Sequence, residues 1–195
     1  MNKVINQFIL ILVLLTLFIS IFFIPKANLS KEFIQYIETG ELLWPAPGYT
    51  RINSYFGKRN APTGGASTYH KGVDIGAPEG SSYVAVTTGT ITYVGFLGGG
   101  GYTVTLTDEN KESGEIKYSY CHSDPNFLVH EGEKVLKGQI IGKVGPKNVY
   151  GVKGNKYFDS NGNPTNGATT GPHLHFGMRI NGEYVNPLNY LPKIE

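Results

Sequence analysis

From Trp44 to its end, this 195-residue chain is filled with runs of β-branched and aromatic residues, each only a few residues long and each closed by a glycine or a polar break. Such runs suit a pleated, half-buried surface and are too short for a helix of ordinary length. Strands are predicted at Ser82 to Ala85, Gly89 to Phe96, Tyr102 to Thr107, Ile116 to Cys121, Lys134 to Leu136, Gln139 to Gly145, His173 to Ile180 and Tyr184 to Val185. No helix of ordinary length is evident after Gly40. Roughly 150 residues are ample for one core. The expected fold class is therefore all-β: an antiparallel open sandwich or barrel-sandwich hybrid.

Histidine placement points to the chemistry. Of five histidines, four fall in patterned settings. His70 and Asp74 lie in His70-Lys71-Gly72-Val73-Asp74, His173 and His175 form a His-x-His pair, and His122 ends Tyr118-Ser119-Tyr120-Cys121-His122. Three such side chains and one open position are what a zinc ion needs to do chemistry rather than cross-link a fold. Side chains at i and i+2 of a strand share a face, so His173 and His175 can enter one pocket. One could bind metal while its neighbour works on the substrate. Positions four apart in a straight strand are about 13 Å apart, too far for ligands of one ion. The chain must bend between His70 and Asp74, and Gly72 makes that bend cheap. His130, in the polar turn Val129-His130-Glu131-Gly132, reads as a solvated loop residue.

Three segments, Tyr69-His70-Lys71-Gly72-Val73-Asp74, Tyr120-Cys121-His122 and Gly171-Pro172-His173-Leu174-His175-Phe176, resemble in type and order the motifs of the M23 zinc metallopeptidases, the lysostaphin and LytM-like group. Ser54-Tyr55-Phe56-Gly57-Lys58-Arg59 and the stretch from Gly132 to Gly142 agree as well, and the likeness runs from about Trp44 to Leu191. The resemblance implies the LytM-like form of the sandwich, a duplicated hybrid motif. It also implies zinc ligands His70, Asp74 and His175, with His122 and His173 as catalytic residues that do not bind the metal. It further implies a zinc-dependent endopeptidase of peptidoglycan stem peptides or cross-bridges, acting in wall remodelling or lysis. In such enzymes the zinc polarises the peptide carbonyl and activates water. The two histidines share the proton transfers and oxyanion stabilisation, in an order the resemblance leaves open. The alternative is a catalytically inactive scaffold or binding protein of the same fold within a membrane-associated complex.

Two departures from the family pattern stand out. Pro146 to Thr169 is a long Gly- and Asn-rich insertion that enters the third motif directly and is expected to form one wall of the cleft. Gly177 stands where relatives commonly carry an acid, which removes any supporting role of that acid. Other features are bland. Gly98-Gly99-Gly100-Gly101 lacks the ending of a phosphate loop and joins two strands as a hairpin. Asp159-Ser160-Asn161-Gly162-Asn163 starts like a calcium loop, but Pro164 replaces the required glycine, leaving a plain turn. Cys121 reads as a small buried apolar residue.

From Val4 to Ile24 the chain is almost continuously apolar. As a helix these residues span about 31 Å, close to the thickness of a bilayer hydrocarbon core. Ile24-Pro25-Lys26-Ala27-Asn28 offers no small-x-small cleavage site. The expected organisation is an uncleaved transmembrane signal anchor over 1–25, a linker with a short helix from Lys31 to about Thr39 over 26–43, and a peptidase domain over 44–195, with Trp44-Pro45-Ala46-Pro47-Gly48 at the boundary. That places the domain outside a cell membrane crossed once, with secretion after signal cleavage as the alternative. A net charge of +2 without a basic run excludes nucleic acid as a partner. The single cysteine excludes an intrachain disulfide.

Overall fold

The strand runs pair into one large antiparallel sheet and two small ribbons. The structure, a computed structural model, describes residues 41–108 and 114–193. The expected anchor over 1–25 and the short helix from Lys31 lie outside these residues. Among the described residues no helix is long and apolar enough to cross a membrane.

In chain order the strands are β1 (Ile52–Ser54), β2 (Gly57–Lys58), β3 (Tyr69–His70), β4 (Val73–Ile75), β5 (Ser82–Val84), β6 (Gly89–Phe96), β7 (Tyr102–Asp108), β8 (Ile116–Cys121), β9 (Lys134–Val135), β10 (Ile140–Lys143), β11 (Leu174–Ile180) and β12 (Glu183–Val185). The large sheet runs β1-β4-β11-β8-β7-β6-β9, with β12 also paired to β11. Ribbons β5-β10 and β2-β3 complete the set. Every predicted strand is present within a residue or two of its expected ends. The first four escaped prediction because none holds two β-branched or aromatic residues in succession.

Alternation gives the large sheet two unlike faces. Val73 and Ile75 of β4, Tyr118 and Tyr120 of β8, and Leu174, Phe176 and Met178 of β11 are all at most 1% exposed and build the core. Over this face lies the β5-β10 ribbon, whose Tyr83 stacks on Tyr120 at 5.0 Å between ring centroids. Both buried hydroxyls are satisfied: Tyr83 pairs with the Ser123 hydroxyl, and the Tyr120 oxygen accepts from the Val86 amide. The intervening residues Asp74, Ser119, Cys121, His175, Gly177 and Arg179 face the other way and floor an open cleft.

The bend expected at Gly72 is present, since Lys71 and Gly72 interrupt β3 and β4. Its physical reason is different from the one expected. Gly72 does not adopt positive φ. A Cβ there would lie 2.4 Å from the Phe176 carbonyl oxygen and 2.8 Å from His175 Nε2. Glycine is required because the turn presses against β11.

Candidate active site

Register assembles the centre of the cleft. Antiparallel pairing sets His175 of β11 opposite Asp74 of β4 on one side and Cys121 of β8 on the other. The bend at Gly72 then swings His70 over the same spot. His70 Nε2 lies 2.9 Å from His175 Nδ1 and 3.0 Å from Asp74 Oδ1, and His175 Nδ1 lies 2.9 Å from Asp74 Oδ1.

These atoms suit zinc. Tetrahedral ligands at about 2.0–2.1 Å from the metal are separated by about 3.3 Å, close to the spacing here. The His70 Nδ1–H donates to the Tyr55 carbonyl at 2.9 Å, so the Nε2 lone pair is left facing Asp74 and His175. Asp74 is steadied from behind by Arg59, whose Nη1 donates to Oδ2 at 3.1 Å and also to Ser54 Oγ at 2.7 Å. Burial opposes ionisation of Asp74, but its contacts with His173, His175 and His70 outweigh that and hold the carboxyl well below the usual carboxylate range. Burial pushes the His175 imidazole down, against the pull of Asp74. Neutral imidazoles and an ionised carboxylate are the protonation states that bind zinc.

Two further imidazoles border the group. His173 immediately precedes β11 and keeps the same face as His175, as the i, i+2 spacing predicts. Its Nδ1–H donates to the Gly171 carbonyl at 2.9 Å, leaving Nε2 3.4 Å from Asp74 Oδ1. His122 arrives differently. As the residue after Cys121 in β8 it would continue the core face of Tyr118 and Tyr120. Its φ of +57° breaks the alternation, and the ring enters the cleft 4.7 Å from His173, centroid to centroid. The His122 Nδ1–H donates to the Asn166 carbonyl at 2.6 Å. Burial, reinforced by His173 and His175, drives the His122 imidazole well below its ordinary value. It is neutral at pH 7, with its Nε2 lone pair available.

The remaining sequence readings fall into place around this centre. The insertion lines the cleft with Tyr157 and Ala168 and also supports His122. Fully buried Asn166 accepts from the Tyr102 amide, donates to the Ser123 carbonyl, and offers its own carbonyl to His122. No sequence signal marked it, because the group that matters is a backbone oxygen. Arg59 and Ser54 were visible only as a flanking segment. His130 is a solvent-facing partner of Glu133, far from this chemistry in character. Asp159 accepts from the Asn161 and Asn163 amides and pairs with Lys147 at 3.0 Å, a turn whose carboxylate is already used. Cys121 is buried, and its thiol is pushed up to about 11 by that burial. Gly99 and Gly100 line the cleft, and the Gly100 carbonyl accepts from the His122 amide.

The chain is similar to known proteins. The model of peptidase family M23 matches residues 68–187. The DD-carboxypeptidase/endopeptidase Mpg of Neisseria meningitidis serogroup B is 36% identical over 141 residues, covering 72% of this chain and 27% of Mpg. The murein hydrolase activator NlpD of Escherichia coli is 31% identical over 151 residues, covering 77% of this chain and 31% of NlpD. A zinc-containing peptidase from Vibrio cholerae has a TM-score of 0.55 at 27% identity, covering 73% of this chain and 37% of that one. The chain thus spans under a third of the length of these curated relatives.

Proposed function

Because the chain belongs to peptidase family M23, we propose that it is a zinc-dependent endopeptidase that hydrolyses peptide bonds in peptidoglycan stem peptides or cross-bridges during wall remodelling or lysis. The observation that carries this reading is the convergence of His70 Nε2, Asp74 Oδ1 and His175 Nδ1 within 3.0 Å of one another, beside two imidazoles each tethered through Nδ1 to a carbonyl. His70, Asp74 and His175 hold the zinc, which supplies Lewis acidity toward the scissile carbonyl and its attacking water.

This chain's own residues do the proton work. His122 and His173 are pinned in one tautomer by the Asn166 and Gly171 carbonyls, so each presents Nε2 to the cleft. A neutral Nε2 accepts the proton of the attacking water and can return one to the leaving amine. The depressed basicity of His122 keeps it in the accepting form at neutral pH. Arg59 fixes the Asp74 carboxylate through Oδ2, which keeps Oδ1 turned toward His70 and His175. The LytM-like sandwich, the anchor over 1–25 and placement of the domain outside a cell membrane belong to the same proposal, since a wall substrate lies there.

The relation to NlpD, named as an activator, favours one competing reading: an inactive scaffold that recruits another hydrolase. All five histidine and aspartate positions are present here, which supports catalysis. The test is zinc content followed by release of soluble muropeptides from purified walls, with and without chelator, against His175→Ala. Zinc-loaded protein that releases nothing from walls of several cross-bridge types sinks the peptidase reading.

A further inference from the structure

Resting on the peptidase reading for its substrate class, we propose that Arg179, with Lys71 against the same Tyr184 ring, forms an anion subsite of the cleft that holds a carboxylate of the substrate peptide. Arg179 lies on β11 with His175 and Gly177, on the cleft face of the sheet. Its Nε is buried and has no hydrogen-bond partner. A buried donor on a charged group left unpaired is costly and calls for an acceptor.

No acid among the described residues supplies one. Among the described residues neither Arg179 nor Lys71 forms an ion pair. Both cations instead flank the ring of Tyr184, Lys71 Nζ at 4.8 Å and Arg179 Cζ at 5.4 Å from its centroid. The Glu115 carboxylate is already paired, at 2.9 Å, with Lys117, which lies opposite Arg179 on β8. Two cations therefore border the cleft with no ion pair to a described acid, since Asp74, the carboxylate on its floor, is taken by Arg59 and the histidines. A planar guanidinium is suited to taking a carboxylate through two parallel hydrogen bonds.

Position gives the subsite meaning. Gly177, between His175 and Arg179, leaves the floor without a side chain, so a peptide can run from one to the other. The two residues are four apart on one strand, about 13 Å. An extended peptide advances at about the same rate, so carboxylate and scissile carbonyl are separated by no more than about four residues. A terminal carboxylate of a stem peptide and a side-chain carboxylate within it both meet that spacing.

The experiment is calorimetric titration of the full chain in detergent with chelator present, so that binding is read without hydrolysis. The probes are a stem peptide ending in D-alanine, its C-terminal amide, and the same peptide with its side-chain carboxylate amidated. The expected result is that one amidation weakens binding about 10- to 100-fold, that Arg179→Met abolishes this discrimination, and that Lys71→Met reduces it. Whichever amidation is felt identifies the carboxylate. Equal affinity for all three peptides, no measurable binding, or unchanged discrimination in a folded Arg179→Met variant overturns the subsite. Wall hydrolysis is scored separately: discrimination without hydrolysis leaves the subsite and removes the peptidase, and hydrolysis without discrimination does the reverse.

Discussion

Replacing Gly72 by alanine tests whether the metal centre depends on the contact between the bend and β11. The new Cβ would sit 2.4 Å from the Phe176 carbonyl oxygen, 2.8 Å from His175 Nε2 and 2.9 Å from His175 Cε1. Ordinary contacts begin at about 3.5 Å, so something must move by about 1 Å. Phe176 cannot yield cheaply, because its strand is paired to β4 on one side and β8 on the other. The bend and the His175 ring must therefore separate. Overpacking of this kind costs about 1–3 kcal/mol, and a domain of roughly 150 residues loses about 2–4 °C of Tm per kcal/mol. We expect Tm of the metal-free protein to fall by about 2–12 °C. A displacement near 1 Å also exceeds the tolerance of about 0.2 Å for a metal–ligand distance, so zinc affinity should fall at least about 10-fold. Circular dichroism melts and competition with a chromophoric chelator measure the two effects. Gly64→Ala is the control, since nothing lies within 4 Å of its Cβ position and its φ is not positive. If Gly72→Ala melts with Gly64→Ala and holds zinc as tightly as the parent, the reasoning is wrong.

Three further outcomes are expected. His122→Ala should lower kcat by about 10²- to 10⁴-fold while metal analysis shows full zinc, because its ring is not among the three converging donors; loss of zinc would contradict the division of roles. On pH, burial depresses His122 and His175 below the ordinary 6.5, so the unfolded chain binds more protons once pH drops below about 6.5. Stability and zinc occupancy should therefore decline together below about pH 6, whereas the contribution of Asp74, whose carboxyl is held low, persists to more acid pH. An activity profile flat to pH 4 with zinc retained would refute this. Cys121, buried with its thiol pushed up to about 11, should react with an aromatic disulfide reagent only after denaturant is added, and Cys121→Ala should keep its zinc and activity; fast labelling of the folded protein would show the thiol to be open.

The β-branched and aromatic runs were long enough to announce β5 to β12, and the His-x-His spacing correctly put His173 and His175 on one face. The bend at Gly72 was also legible, because four extended residues cannot serve one ion. Its true constraint, the backbone of β11 against the glycine, was not, since the partner lies more than 100 positions away in the chain. β1 to β4 hold no two β-branched or aromatic residues in succession, so nothing in composition announced them. Arg59 and Ser54 gave no sign of their role, because a side chain that steadies another has no pattern of its own.

What the sequence by itself determined is therefore local: which segments extend, which face the side chains take while a strand stays regular, and the kinds of donor available for a metal. The tertiary structure decided which of those donors meet. Pairing of β4 with β11 brings Asp74 to His175 across 101 residues, and a left-handed turn at His122 carries that ring from the core face to the cleft. The carbonyls of Tyr55, Gly171 and Asn166 then fix the tautomers of His70, His173 and His122. Such carbonyls are identical at every residue, so only the folded chain's register distinguishes the three that matter.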